Sequence, residues 1–166
     1  MKTSTLRGTI YLAGLLGLLV AIFAAAEFYA ASLRGVCTIN QFFSCATVDR
    51  SGKTTTFGVQ DYLWGVGGFV ALLVAAGLAE RRPRDVRPAY ALTFLATAAV
   101  ALSGYFLYVQ LAEIHALCVV CATAETLGGV VWLASIALAV RTKRKADPPG
   151  APAQKEPPPD PARQAG

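Results

Sequence analysis

Four cysteines are the residues of this chain best suited to chemistry, and they fall into two pairs. Cys118-Val119-Val120-Cys121 is a CxxC. At the start of a helix such a pair places both sulfurs on one side, a turn apart, close enough to form a disulfide. The free N–H groups and dipole of a helix N-terminus favour a thiolate, and the thiolate is the form that attacks disulfides. A CxxC also binds zinc, so the motif by itself is only moderately specific. Cys37 and Cys45 are separated by seven residues, Thr38 to Ser44. That gap is too wide for a rigid CxxC-type site and comfortable for a disulfide within a flexible loop.

The elements that must position these pairs are apolar. Hydrophobic residues make up 55% of the 166-residue chain and charged residues only 15%. They come in long blocks rather than at amphipathic spacing, which places the chain in the membrane class. The blocks run roughly from Thr9 to Leu33, Val59 to Ala79, Ala89 to Leu111 and Leu117 to Val140. A bilayer core of ~30 Å needs about 20 apolar residues per helix, so each block can span. Lys2, Arg7 and the Ala24-Ala25-Ala26 run resemble a secretory leader, but the apolar stretch is long and continues past the alanines, so it reads as a retained helix. The fold class expected is all-α: a membrane four-helix bundle over residues 1–145, with a cysteine-bearing outer loop between the first two helices. Residues 146–166 are rich in Pro, Ala and charge and read as a disordered tail.

The net charge of +5 is weak evidence for a nucleic-acid partner, because the basic residues sit at the ends of apolar blocks. All but Arg34, Arg50 and Lys53 lie before the first block, between the second and third, or after the fourth. By the positive-inside rule both termini are cytoplasmic. The first loop and the turn before Cys118 then face outward. All four cysteines therefore lie near the non-cytoplasmic face, where disulfides persist. Phe42 and Phe43 could dip into the membrane surface there and steer Cys45 toward the fourth helix. Three plainer readings compete: two structural disulfides, a four-cysteine zinc site, or unpaired apolar cysteines. A CxxC is a poor staple because it closes a very small loop, and the irregular pair spacing suits zinc poorly.

The Cys-x7-Cys of the first outer loop, Ser51 six residues after Cys45, Phe57-Gly58 before the second helix and the CxxC at the fourth together resemble the vitamin K epoxide reductase family. The likeness runs from the first helix to about Val140. It implies a relay to a lipid quinone, menaquinone or ubiquinone, in a bacterial cytoplasmic membrane. Cys37 would exchange with the dithiol of a separate thioredoxin-like protein. Cys45 would then attack the disulfide at Cys118, and Cys121 would deliver electrons to the quinone. The other uses of these residues are reduction of vitamin K or its epoxide by partner dithiols, and a non-enzymatic scaffold stapled by disulfides.

The resemblance also assigns quinone contacts. Ser51 matches the serine that supports a lid over the quinone, and reads equally as a turn residue before Gly52. Glu125 stands four residues after Cys121, where animal members carry a Tyr. Asp61 lies closest to an Asn at the start of the second helix. Carboxylates in both places count against vitamin K epoxide and suit an ordinary quinone, whose reduction needs protons. A carboxyl group inside a membrane is costly and usually functional, so Glu125 is a candidate proton donor. Its plainer reading is a bond to Thr123 or Ser103. Glu27 and Asp61 lie near helix ends and could snorkel to water; of the two, Asp61 is the stronger candidate. His115, three residues before Cys118, reads as a surface residue. Gly65, Gly67 and Gly68 permit close helix packing or leave room for a flat ring. Trp64, Tyr105 and Tyr108 suit either the cavity or the interfacial belt, and Tyr62 suits the belt.

Overall fold

The apolar blocks form four long helices, with the cysteine loop folded over one end of the bundle. The computed structural model describes residues 3–30, 32–33, 35–82 and 85–146. Helix α1 spans Thr3–Tyr29, the short α2 Cys45–Arg50, α3 Asp61–Arg81, α4 Arg87–Tyr108 and α5 Val119–Ala146. Between α2 and α3 lie two short antiparallel strands, β1 (Thr55–Thr56) and β2 (Val59–Gln60). A π-helical turn, Val109–Ile114, prolongs α4. Among the described residues, four helical segments are long and apolar enough to cross a membrane, and the chain is a multi-pass membrane protein. The expected Pro-rich tail, apart from Ala146, lies outside the described residues.

Small side chains set the packing. Ala13 and Ala21 of α1, Ala75 and Ala76 of α3, Ala96 of α4 and Ala134 of α5 are all buried in one core with Ile10, Phe69, Leu72, Leu92 and Val131. Lipid offers apolar side chains no hydrophobic reason to hide, so helices associate through close van der Waals contact, which small residues allow. Gly17 shows the need directly: a Cβ there would strike the Phe69 ring. Outward, Leu12, Leu19, Val74, Phe94 and Leu133 are exposed, as a lipid-facing surface requires. At the end opposite the loop, Arg7 pairs with Glu80 and the Tyr11 hydroxyl donates to the same carboxylate, joining α1 to α3.

Element boundaries depart from the apolar blocks at the loop end. Helix α1 stops at Tyr29 rather than Leu33. From there the chain closes short turns, Leu33 N–H to Ala30 O and Val36 N–H to Leu33 O, and folds back over Glu27. Val59 and Gln60 belong to the hairpin, not to α3. Phe57 (φ 55°) and Gly58 (φ 77°) both take left-handed backbone, the requirement of a tight two-residue hairpin turn. That turn reverses the chain and delivers Asp61 as the first residue of α3.

Candidate functional site

The loop is organised before its cysteines are placed. Asn40 Oδ1 accepts the N–H groups of Phe42 and Phe43 at 2.9 and 2.8 Å, a side-chain turn that local Asn chemistry favours. Ser44 caps α2 by accepting the Thr47 N–H, which sets Cys45 at the first helical position. Phe43 pairs with Leu117 in a short parallel bridge. Leu117 N–H donates to Phe42 O at 2.7 Å and Ser44 N–H to Leu117 O at 3.2 Å. This backbone pairing brings Cys45 to the start of α5, while the Phe42 and Phe43 rings stay exposed.

The result is a chain of sulfur atoms. Cys37 and Cys45 form a disulfide, while Cys118 and Cys121 are free thiols. Cys118 Sγ lies 2.9 Å from Cys45 Sγ. The sulfurs of Cys37, Cys45 and Cys118 all lie within 4.8 Å of one another. Cys45 and Cys118 are 1% and 2% exposed, sealed by Val48 and Ala116. Cys118 precedes the first residue of α5, and its sulfur accepts the Cys121 N–H at 3.3 Å, as an N-cap side chain does. Thiol–disulfide exchange needs one sulfur to reach another, and this spacing permits it between the pairs.

Beyond Cys121 opens a cavity of about 430 Å³ between the long helices. Its wall is apolar, with Ala21, Gly65, Gly67, Gly68, Leu95 and Ala124 among the lining residues. Cβ atoms added at Gly67 or Gly68 would meet nothing within 4 Å. Its polar edge is Asp61, Cys121, Ser103 and Glu125. Asp61 is 9% exposed; its Oδ1 accepts the Tyr62 N–H, and its Oδ2 lies 4.0 Å from Cys121 Sγ. Small apolar walls with a few convergent polar groups are the features of a site for a largely apolar small molecule.

The expected quinone contacts divide. Asp61 and Glu125 share the cavity with Cys121, whereas Ser51 is not part of its wall. Ser51 closes α2, donating to Val48 O at 2.7 Å and accepting the Lys53 N–H. Thr123 donates to Val119 O rather than to Glu125. Tyr62, expected in the interfacial belt, is instead buried against Phe28 and Tyr29 and lines the cavity with Trp64. The α1 rings that cover it are a tertiary contact, which the apolar blocks alone did not convey. Tyr105 and Tyr108 are exposed and outside the wall. His115 is exposed and left-handed (φ 58°), turning the chain from the π-helical segment into α5.

Three further residues shape the site. Gln110 is 1% exposed, and its Oε1 accepts the Cys118 N–H at 2.9 Å, holding the CxxC against the π-helical turn. A lone amide within an apolar run was its only sequence signal. Glu27 does not snorkel: it is 4% exposed and holds the Cys37 segment. Asp49 of α2 is half-buried, and that burial, with the Asp61 and Glu27 carboxylates nearby, pushes its carboxyl up to about 6.

A comparison with known protein families matches residues 9–142 to the vitamin K epoxide reductase family. No curated protein matches the chain. Two cysteine pairs in sulfur contact, a cavity beside the inner pair and a family match over most of the sequence agree: the chain belongs to the vitamin K epoxide reductase family, membrane oxidoreductases that act on quinones and disulfides.

Proposed function

We propose that this protein oxidises the dithiol of a separate thioredoxin-like protein on the non-cytoplasmic side and passes the electrons to a lipid quinone, so supporting disulfide formation. The observation that carries the reading is the 2.9 Å approach of Cys118 Sγ to Cys45 Sγ, with Cys121 at the cavity wall on the far side. A partner thiolate attacks Cys37, and the Cys37–Cys45 bond breaks with its electron pair on Cys45. Cys45 then attacks Cys118 of an oxidised Cys118–Cys121 pair, and Cys121 leaves as a thiolate into the cavity. The partner's second thiolate releases Cys37 as the partner's disulfide forms, and Cys37 then attacks Cys45, restoring Cys37–Cys45 and freeing Cys118. The Cys118–Cys121 dithiol would close again to a disulfide as a bound quinone, menaquinone or ubiquinone, takes up its two electrons and two protons. Asp61 and Glu125 stand at the cavity wall to hold and deliver those protons. Ser51 acts at a distance, keeping α2 closed and Cys45 in place.

Both termini are assigned to the cytoplasm of a bacterial cell and the loop to the outer face, supported by the basic residues Arg81, Arg82 and Arg87 where α3 ends and α4 begins and Lys143, Arg144 and Lys145 at the end of α5. The test is quinone reduction by the purified, detergent-solubilised protein, with a reduced thioredoxin-like protein as donor. Partner-dependent loss of quinone absorbance, absent in Cys121→Ala, is the expected result. Turnover with vitamin K epoxide alone would reassign the substrate. No turnover with any common quinone, with cysteines inert to exchange, would leave a disulfide-stapled scaffold.

A further inference from the structure

Glu27 is not part of the cavity wall and lies beside the disulfide's other sulfur. Its Oε1 accepts the backbone N–H groups of Gly35 at 3.2 Å and Cys37 at 3.4 Å. Its Oε2 lies 2.7 Å from Cys37 Sγ. That sulfur carries no hydrogen while bonded to Cys45. Once the bond opens, carboxyl and sulfur become a donor–acceptor pair with a proton to share. Holding the turn requires only Oε1; the second oxygen is left for the sulfur. Glu27 also lines a recess of about 300 Å³ with Phe28, Gly35, Ala46, Asp49 and Arg50. Among the described residues, the charged groups facing it there are Asp49 and the exposed Arg50, both from α2, with Asp61 acting on Asp49 from α3.

We propose that Glu27 is a catalytic acid–base group for Cys37, moving a proton between the Cys37 sulfur and the Asp49–Arg50 recess whenever the outer disulfide opens or closes. The inference rests on the reading of Cys37 as the sulfur that exchanges with a protein dithiol. In the mixed disulfide, the partner's second thiolate attacks the partner's own sulfur. The bond to Cys37 breaks, the partner's disulfide forms, and Cys37 leaves with the electron pair. The Glu27 carboxyl gives its proton to that sulfur, and the carboxylate left behind is held by the N–H groups of Gly35 and Cys37. The recess returns a proton to Glu27 from water. The partner loses two electrons over the cycle, and the loop pair gains them.

The test uses the full-length chain with Cys45, Cys118 and Cys121 replaced by Ser and Cys37 loaded as a mixed disulfide with glutathione. Release of Cys37 by dithiothreitol is followed across pH and normalised to the reagent's thiolate. With Glu27 present, the normalised rate falls with rising pH. In Glu27→Gln the profile is flat and the low-pH rate drops on the order of 100-fold. Gln keeps an oxygen for the two N–H groups, so a residue that only holds the turn would be spared by Glu27→Gln and harmed by Glu27→Ala; that pattern overturns the proposal. So does a pH step that vanishes in Asp49→Asn and survives in Glu27→Gln. The assay contains no quinone and no protein partner, so failure of quinone turnover leaves its outcome intact.

Discussion

At the scale of single residues, the chemistry depends on which sulfur meets which. Cys118 lies against Cys45, not Cys37, and its neighbour Cys121 is at the cavity. Removing Cys121 deprives Cys118 of its resolving partner while leaving the short approach to Cys45. Cys121→Ser is therefore expected to accumulate a Cys45–Cys118 disulfide with Cys37 free, read by mass spectrometry of peptides under non-reducing conditions; a chain holding only Cys37–Cys45 would contradict the relay. Gln110 is the second residue-scale test. Replacing it by Leu leaves the buried Cys118 N–H without its acceptor, at a cost of about 1–3 kcal/mol. The expected outcome is a lower unfolding midpoint and a more reactive CxxC toward small thiol reagents.

The elements add shape and charge. Helix α3 is glycine-rich where it faces the cavity, and at Gly68 a side chain would enter open space rather than a neighbour. Gly68→Leu should fold and yet fill the cavity, raising the KM for quinone on the order of 10-fold while exchange between the cysteine pairs persists. Retained affinity would move the quinone elsewhere. Helix α2 carries a different signal. The folded value of Asp49, about 6, lies above its ordinary 3.8, so the folded chain holds this proton more tightly than the unfolded one. Stability from the neutral carboxyl is present below the ordinary carboxylate range and lost as pH rises through about 6. Asp49→Asn should therefore raise the melting temperature at about pH 8 and leave it nearly unchanged at about pH 4.

For the whole molecule, the membrane decides what is surface. Exposed Leu12, Val74, Phe94 and Leu133 need lipid, while the loop end carries Lys53 paired with Glu113 at 3.2 Å. An orientation with the loop outward predicts that, in intact cells, an impermeant maleimide labels a single cysteine introduced at Lys53 and spares one at Lys143. The reverse pattern would invert the topology and place the disulfide in a reducing compartment.

Read as sequence, the chain already contained its four spans, the loop between the first two and both cysteine pairs, because apolar length and cysteine spacing are local properties of a chain in lipid. Asp61 and Glu125 were legible too, since carboxyl groups in apolar runs are conspicuous. Tertiary structure alone decided the rest. Sulfur contact between Cys45 and Cys118 depends on a backbone bridge from Phe43 to Leu117, made by atoms that every residue shares. Glu27 on Cys37 and Gln110 on Cys118 depend on turns that bring residues ten and eight positions apart into contact. Ser51 matched a pattern yet closes α2 outside the cavity wall. Local rules name the reactive residues, but their partners are set by how loop and bundle close on each other.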